Sequence, residues 1–460
     1  MSHICVGAGK ACIDVPENLY PFPIYENFSF DTMGDSGSLY ARAIVIDNGE
    51  TRFLFVGTDV SDAPGEELRE RIQNEFFIPK ENMYVTATHN HSAPHGGGRK
   101  GGGLSRSPEK AEKEAAYGAV YEAGILQAVE AAVSSLRRAR YGFGEGKSYV
   151  NTHRDILMED GFWTQGQNYA GPSDKTLAAL KFVDEDGRLI GAIVNYACHG
   201  TCAFCSKDTD GKIKVTPGFA GIACAYVEAR YDDEPVILWT NGASGDQNPM
   251  FSSEGFPRVY EKDGYTETTQ TPPGTQYIIQ RHTGYTHGVD IIQTLNSIKA
   301  VKKAMRIVTT QTVVQLDAQR RPEGADMGLN KLFIDNSVRI FRPELCVNGR
   351  PPEKHLVEMI PDGTVEMKMW LALLGDSAWI GVAGEPYSTI GMKCKAAAPM
   401  KNTVLVLHVD DTCGAGYILD DACADHKVFQ AYSRVRPGNV DTPIVNGVLT
   451  LFDQAFNDQQ

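Results

Sequence analysis

The sequence lacks the segments that would tie a chain to a membrane. Its 460 residues include no apolar run of about 18 residues, so no membrane span is predicted. The first ten residues lack the basic start and apolar stretch of a secretion signal. The ten cysteines are scattered without the spacing of a disulfide framework, which favours reduced thiols. We therefore expect a cytoplasmic protein.

Positive charge is also scarce. The chain carries 44 Lys and Arg residues against 58 Asp and Glu residues, for a formal net charge of -14 at pH 7. This excess of negative charge argues against nucleic acid or an anionic membrane surface as the main partner. The apolar content of 42% is sufficient for a large core. These bounds favour an acidic enzyme that acts on a small molecule.

The clearest functional signal lies in residues 83–98, Met-Tyr-Val-Thr-Ala-Thr-His89-Asn-His91-Ser-Ala-Pro-His95-Gly-Gly-Gly. A short apolar run ends in two histidines spaced i, i+2. The period of two along a strand would turn His89 and His91 to the same side. Neutral imidazole is a common ligand for zinc-like metals and carries protons near neutral pH. The alternative for such a motif in isolation is a turn whose histidines only bind the backbone.

The remaining pattern predicts antiparallel hairpins and surface helices. Hairpins are predicted at residues 40–58, 180–197 and 367–383, the first around Asn48-Gly49. The longest predicted helix covers residues 108–140, with acidic residues at its start and Arg137, Arg138 and Arg140 at its end. A shorter helix is predicted over residues 62–76.

Two polar segments are predicted to lie outside the core. Residues 96–107 are rich in glycine and basic residues, and residues 252–278 are rich in Thr, Pro and Tyr, so both are expected to be loops beside the site.

Several polar residues lie just beyond the ends of predicted strands. They are His89, His199, Asp246, Glu385 and Tyr417. Sites in α/β architectures are commonly built where strand ends meet loops, so we expect these residues to share one cleft. The fold predicted from this pattern is a mixed α/β domain over residues 1–460, with mixed and antiparallel sheets at the centre and helices outside.

The sequence resembles the neutral/alkaline (non-lysosomal) ceramidase family of zinc-dependent amidases. Seven segments carry the resemblance, in order along the chain: Val6-Gly-Ala-Gly-Lys-Ala-Cys-Ile-Asp14, Leu39-Tyr-Ala-Arg-Ala with Thr58-Asp59, Thr88-His-Asn-His-Ser-Ala-Pro94, Asn151-Thr-His-Arg154, Asn195-Tyr-Ala-Cys-His-Gly-Thr201, Asn241-Gly-Ala-Ser-Gly-Asp-Gln-Asn-Pro249 and Gly384-Glu-Pro386. We expect the resemblance to cover the family's N-terminal catalytic domain alone, without its C-terminal β-sandwich.

The resemblance implies a zinc ion held by four residues: His89, His199, Glu385 and Tyr417. Two imidazoles and a carboxylate leave an open position, as catalytic zinc sites do. His91 would carry protons between water and the leaving group. Arg154 would bind the substrate carbonyl or an anion. Asn248, which stands where the family has a serine, is the third expected catalytic residue.

A further departure concerns a second tyrosine that the family carries before a glutamate. The corresponding stretch is His426-Lys-Val-Phe-Gln-Ala-Tyr432, in which Tyr432 is a possible replacement. We predict hydrolysis of the amide bond of a small soluble substrate rather than of ceramide in a bilayer, with ester or lactone hydrolysis as the alternative.

Two other enzyme classes compete with this interpretation. Cys198, Cys202 and Cys205 have the spacing of a radical S-adenosylmethionine iron–sulfur motif. A barrel amidohydrolase could recruit His199 with His287 and Asp410, but antiparallel hairpins do not fit an eightfold βα repeat. A structural zinc protein without activity is disfavoured, because structural sites prefer four closed Cys and His ligands.

Overall fold

The computed structural model describes residues 3–25, 28–32, 37–96, 108–157, 163–204, 206–251, 272–323, 358–409 and 414–457. Its strands are β1 (Cys5–Cys12), β2 (Phe22–Tyr25), β3 (Phe28–Phe30), β4 (Tyr40–Asp47), β5 (Arg52–Thr58), β6 (Met83–Ala87), β7 (Arg137–Lys147), β8 (Asn151–Leu157), β9 (Trp163–Asn168), β10 (Thr176–Asp184), β11 (Leu189–Tyr196), β12 (Val236–Asn241), β13 (Gln247–Pro249), β14 (Ile307–Arg320), β15 (Ile360–Leu374), β16 (Ser377–Val382), β17 (Glu385–Pro386), β18 (Thr403–Leu407) and β19 (Tyr417–Ile418). Its α-helices are α1 (Glu66–Phe76), α2 (Pro108–Ser134), α3 (Gly218–Glu228), α4 (Thr275–Ser297), α5 (Ser388–Ala397) and α6 (Asp441–Asn457).

Two mixed sheets make up the centre. The larger has eight strands in the order β12-β11-β10-β7-β1-β4-β5-β6, in which β11–β12 and β5–β6 are parallel pairs. The smaller has the order β14-β15-β16-β18, with β16 and β18 parallel. The larger sheet curves on itself, so that β12 packs against β4 and β5. The mixed α/β architecture predicted from the sequence is confirmed.

Alternating side chains bury both faces of the central strands. On β4, Ala43 and Val45 join the core under α2, whereas Ile44 and Ile46 join a core shared by the two sheets. Trp379 on β16 enters the same shared core. Each fully buried aliphatic side chain contributes roughly 1.5–3 kcal/mol. A near-continuous apolar run is therefore the expected sequence of a strand covered on both faces.

Helices cover the outer faces of both sheets. Helix α2 packs on β1 and β4, and α3 and α4 pack together against β10 and β12. Helices α5 and α6 cover the smaller sheet. The close contact of α2 depends on Gly7 and Gly9 of β1, because an added β-carbon would lie 1.9 Å and 2.1 Å from carbonyl oxygens of α2. Glycine in a strand interior commonly marks such an approach.

A buried ion network joins β4 to α3. Arg42 Nη1 lies 2.7 Å from Asp59 Oδ2, and Arg42 Nε lies 3.0 Å from Glu228 Oε1. Lys10 Nζ approaches the other oxygen of Glu228 at 2.8 Å. Asp59 is two residues before Ser61, whose carbonyl contacts a histidine of the site described below. The network therefore fixes the chain segment that supports that histidine.

The predicted hairpins are confirmed as β4–β5, β10–β11 and β15–β16. The prediction of one helix over residues 108–140 is wrong in its last part, because α2 ends at Ser134 and β7 begins at Arg137. Ala139 and Tyr141 of β7 enter the shared core while Arg138 is exposed. This alternation is the period of a strand, and it outweighed the favourable helix dipole that the arginines suggested.

Two further boundaries differ from expectation. Helix α1 begins at Glu66 after Gly65, which provides no side-chain cap, rather than near residue 62. In the segment expected to be a loop over residues 252–278, helix α4 already begins at Thr275; residues 252–271 lie outside the described residues. The predicted loop at residues 96–107 lies outside them as well, except for Gly96. None of the described helices has the length and apolar character needed to span a membrane.

Candidate active site

The segment after β6 carries the two histidines of the His-x-His motif. The strand ends at Ala87, and His89 adopts a left-handed φ of 55°. The rings of His89 and His91 nevertheless lie close together in an edge-to-face arrangement, with centroids 4.7 Å apart. The predicted proximity is therefore observed, but it arises from a turn at His89 and not from alternation along a strand.

A short bridge joins this segment to the one after β11. The backbone N–H of His91 donates to the carbonyl of Gly200 at 3.0 Å, and Asn90 and Gly200 form a parallel bridge. A β-carbon at residue 200 would lie 2.5 Å from the carbonyl oxygen of His89. The absence of a side chain at Gly200 thus permits the approach that places the His199 ring 4.8 Å from the His89 ring.

Backbone carbonyls fix the tautomers of both rings. His89 Nδ1 lies 2.9 Å from Ser61 O, and His199 Nδ1 lies 2.7 Å from Ser244 O. Because a carbonyl oxygen only accepts, each Nδ1 carries the proton and each Nε2 keeps its lone pair. Metal-binding histidines are commonly oriented in this way by a partner on the other nitrogen.

Glu385 and Tyr417 are placed opposite each other by the two-residue strands β17 and β19, which pair in parallel. Glu385 Oε2 lies 3.5 Å from His89 Nε2 and 3.3 Å from His199 Nε2. The Tyr417 hydroxyl lies 3.1 Å from His199 Nε2. Four side chains from four separate segments of the chain therefore direct their polar atoms toward one buried point.

The donor set fits a metal ion. His89 Nε2 and Glu385 Oε2 are buried and have no hydrogen-bond partner in the described part of the chain. Two imidazoles, a carboxylate and a phenol oxygen are ligands that zinc and related ions accept. The ligand atoms of His89, His91 and His199 also lie within 4.8 Å of one another. These residues can therefore hold a metal ion.

The ionisation of these groups follows their surroundings. Burial disfavours charge on Glu385, but His89 and His199 outweigh it and hold the carboxyl pKa well below its usual value. Burial also opposes protonation of His89, yet Glu385 raises the pKa of that ring. Burial lowers the pKa of His199 to about 4, with Arg154 adding to the effect. In Tyr417, burial raises the pKa of the phenol.

His91 lies at the side of this pocket. Its ring is half-buried, with centroids 5.6 Å from His199 and 5.5 Å from Phe204. Burial, followed by the neighbouring rings of His89 and His199, lowers the pKa of His91 well below its usual value. A neutral imidazole at this position can accept a proton.

Arg154, on β8, lies beneath the pocket and is 2% exposed. Its Nη2 donates to the carbonyl of Gly245. With the amide of Gln430 turned to accept, the Gln430 oxygen lies 2.7 Å from Nε and 2.9 Å from Nη2. The guanidinium lies 5.3 Å from the ring centre of Tyr417 and 5.6 Å from that of Phe429. Most donors of Arg154 are therefore held by the protein, and Nη1 is directed toward Asn248 at 3.5 Å.

Asp246 supports the site from behind. Its carboxylate accepts from the backbone N–H of Ser388 at 2.7 Å and from the Ser388 hydroxyl at 2.8 Å, at the start of α5. His153 Nε2 lies 3.3 Å from the same carboxylate. Burial raises the pKa of Asp246 to about 6. Asp246 thus anchors the segment that follows Glu385 and does not itself face the ligand atoms.

Two features were missed by the sequence reasoning. His408, just after β18, stacks on His89 with centroids 4.3 Å apart, and neither of its nitrogens has a hydrogen-bond partner among the described residues. Its only signal in the sequence was its place at a strand end. Phe429 packs on Tyr417 at 5.4 Å and precedes Gln430. Phe429 lies in the stretch that corresponds to the family's second tyrosine but has no hydroxyl; Tyr432 was named only as a possible replacement.

Among the described residues that only the competing enzyme classes would use, Cys198 and Cys202 belong to an apolar core and His287 is hydrogen-bonded away from the proposed ligands. Cys198 and Cys202 are buried, and burial raises the pKa of the Cys198 thiol well above its usual value; Cys205 lies outside the described residues. His287 is bound on both nitrogens, by Ser148 at 2.9 Å and by Trp239 at 3.1 Å. Asp410 lies outside the described residues.

Residues 5–235, half of the chain, match the model of the neutral/alkaline non-lysosomal ceramidase N-terminal region. A neutral ceramidase of Pseudomonas aeruginosa is 26% identical over 206 residues, which cover 42% of this chain and 30% of that protein. One of Drosophila melanogaster is 26% identical over 251 residues, covering 49% and 32%. The matched part spans about a third of the length of these relatives.

Solved structures show the same fold. The crystal structure of neutral ceramidase from Pseudomonas aeruginosa matches with a TM-score of 0.66 at 17% identity, covering 99% of this chain and 74% of that chain. A structure of a ceramidase complexed with C2 matches with a TM-score of 0.67 at 16% identity, covering 100% and 76%. The match extends along nearly the whole chain, beyond the residues that the family model covers.

Proposed function

This chain belongs to the neutral/alkaline non-lysosomal ceramidase family, and from this premise we propose that it is a metal-dependent hydrolase that cleaves an amide bond. The observation that carries the proposal is the convergence of His89, His199 and Glu385 on one buried point. Tyr417 lies beside them as a fourth donor. The relatives that match are ceramidases, and ceramide is an N-acyl amide.

Zinc is the ion that we propose for this pocket. His89 and His199 would each offer an Nε2 lone pair, with Glu385 and Tyr417 as oxygen donors. When bound, such an ion supplies Lewis acidity and lowers the pKa of a water molecule to about 7. Manganese and iron accept the same donors, so the identity of the metal has to be measured.

His91 is the proposed proton carrier. Its ring is half-buried at the side of the ligand cluster, where an attacking water and a leaving group would both be within reach. It would accept a proton as the water oxygen bonds to the carbonyl carbon. It would then donate that proton to the nitrogen as the carbon–nitrogen bond breaks, so that a neutral amine leaves. An ester or lactone would need the same base and less help for its leaving oxygen.

Arg154 would act through its fixed charge. Its guanidinium lies over the ring of Tyr417 and is held in place by Gly245 and Gln430. A permanent positive charge in a buried position stabilises negative charge that develops nearby. We therefore propose an electrostatic role for Arg154 in place of the direct capture of a substrate anion.

The proposed substrate is a small soluble N-acyl amide. The formal net charge of -14 disfavours binding to an anionic bilayer, where a membrane lipid would have to be extracted. Ester or lactone hydrolysis would use the same metal ligands as amide hydrolysis. Only the relative rates on matched amides, esters and lactones therefore distinguish the two functions.

The test is to measure the metal content of the purified protein, and then its activity on matched short-chain amides and esters, a γ-lactone and a long-chain ceramide. We expect about one zinc per chain and turnover of short amides. His89→Ala should lose the metal and the activity. His282→Ala, at an exposed position on α4, should keep both.

Three results would contradict parts of the proposal. Preference for long-chain ceramide would overturn the small-substrate prediction, and hydrolysis of esters or lactones alone would favour the alternative. Iron with sulfide that His89→Ala leaves intact would favour the cysteine motif instead.

A further inference from the structure

Asn248 on β13 is fully buried beside the metal pocket. Its side-chain oxygen accepts from Arg154 Nη1 at 3.5 Å and from the Thr201 hydroxyl at 3.4 Å. Thr201 follows His199 by two residues, and the guanidinium of Arg154 lies over Tyr417. Both partners of the amide oxygen therefore adjoin proposed metal ligands.

These contacts determine which way the amide points. A guanidinium can only donate hydrogen bonds, so the atom that faces Arg154 must be the oxygen and not the nitrogen. The NH₂ group is thereby turned away from Arg154. Swapping the two atoms would place two donors against each other.

The NH₂ group has no partner in the part of the chain that the structure describes. A buried donor left unpaired costs about 1–3 kcal/mol, and such groups are rare in folded proteins. Asn248 therefore combines a fixed orientation, complete burial and an unused donor at the edge of a catalytic pocket. A donor in this position could bind an oxygen of a ligand.

We infer that Asn248 donates a hydrogen bond from Nδ2 to the oxygen of the scissile carbonyl, where negative charge develops during hydrolysis. The inference rests on the proposed function and specifies how the substrate is held. It requires a substrate with an acyl oxygen as acceptor. An amide side chain is not a nucleophile, so residue 248 itself forms no acyl-enzyme.

The replacement Asn248→Asp separates this role from a structural one. Aspartate has the same shape and still accepts from Arg154 and Thr201, but it has no NH₂ and brings a negative charge toward the developing oxyanion. We expect kcat to fall by roughly 100- to 1,000-fold or more, the usual effect of losing an oxyanion donor, with little change in KM. Asn248→Ala should lose a similar factor, whereas Asn248→Ser, which restores a donor, should recover part of it.

Asn74→Asp, an exposed substitution on α1 with the same change of charge, is the matched control and should behave as wild type. Metal content and melting temperature of each variant show that the fold and the metal are retained. If Asn248→Asp keeps wild-type kcat while Asn248→Ala does not, Asn248 only positions Arg154 and the inference is wrong.

Binding of hexanoate to the zinc-loaded protein gives a readout without turnover. One oxygen of this product-like carboxylate can accept from Nδ2, so Asn248→Asp should weaken binding at least tenfold by calorimetry. Equal affinity of both proteins would overturn the inference. If wild type hydrolyses none of the acyl compounds, the proposed function fails, and the hexanoate titration still decides the role of Asn248 separately.

Discussion

The buried histidines of this protein differ in how many ring nitrogens the protein itself binds. In His287, both nitrogens are bonded, by Ser148 and Trp239. In His89 only Nδ1 is bonded and Nε2 is turned to the carboxylate of Glu385. In His199, Nδ1 is bonded to a backbone carbonyl, and Nε2 faces two other proposed ligands, Glu385 and the Tyr417 hydroxyl. A ring with both nitrogens satisfied stabilises the fold, whereas a ring with one nitrogen reserved can bind a ligand.

His287 should make the protein sensitive to acid. Burial lowers its pKa to about 3 from an ordinary value of 6.5. Between these values the unfolded chain binds a proton that the folded chain does not, so the free energy of unfolding falls as the pH falls below 6.5. His287→Gln removes this proton, and its unfolding free energy should depend on pH less steeply, by up to about 1.4 kcal/mol per pH unit.

Urea unfolding at several pH values between 7.5 and 4.5 measures how steeply the unfolding free energy depends on pH. The proteins to compare are the wild type, His287→Gln and the exposed control His282→Gln. Parallel pH profiles of wild type and His287→Gln would contradict the prediction, whatever the offset between them.

The sequence could not distinguish these histidines. His199 was found by its motif, but the partners of His287 lie 139 and 48 positions away. The same limit applies to Phe429, which contacts Tyr417 and Arg154 only in the folded chain. The resemblance to the family, together with residue types at predicted strand ends, identified the candidate ligands. Which ring nitrogen remains available is determined by tertiary contacts.

Among the structural elements, the bridge between Asn90 and Gly200 is the one that brings the first two proposed ligands together. Gly200→Ala should separate them, since the new β-carbon would meet Asn90 Cα at 2.7 Å and the carbonyl oxygen of His89 at 2.5 Å. We expect zinc affinity to fall by roughly 10- to 100-fold, as for other supporting residues of metal sites. Competition with a chromophoric chelator measures this.

Gly118→Ala is the control for that variant. Residue 118 lies in α2 with no atom within 4 Å of an added β-carbon. Alanine there should leave the zinc affinity unchanged and stabilise the helix by about 0.5–1 kcal/mol. If the Gly200→Ala protein binds zinc as tightly as Gly118→Ala, the bridge between Asn90 and Gly200 does not determine the position of the metal ligands.

Elements with local signals were predictable and those without were not. Asn48-Gly49 identified the β4–β5 hairpin because its turn chemistry is local. The boundary between α2 and β7 was missed, since a basic helix end and an alternating basic strand share the same arginines. The strands β17 and β19 are two residues each. They are too short to leave a pattern, although they place Glu385 beside Tyr417.

For the whole molecule, metal binding should stabilise the fold, because the proposed ligands extend from residue 89 to residue 417. A ligand that binds only the folded state at a thousandfold excess over its Kd adds about 4 kcal/mol. For a chain of this length that corresponds to a rise in Tm of about 4 °C.

Scanning calorimetry of zinc-loaded and chelator-treated protein should show this difference for the wild type and not for His89→Ala. An equal shift in His89→Ala would assign the stabilisation to zinc bound elsewhere.

The register of the pairing between β17 and β19 has a consequence for how the metal site forms during folding. Glu385 is paired with Tyr417. The chain neighbours of Tyr417, Gly416 and Ile418, carry no side-chain donor for a metal. A slip of one residue would therefore leave three donors in place of four. A metal ion bound by all four proposed ligands would therefore require the correct pairing of β17 with β19 and the approach of segments more than three hundred residues apart. Uptake of the ion would then report correct folding of the site before any substrate binds.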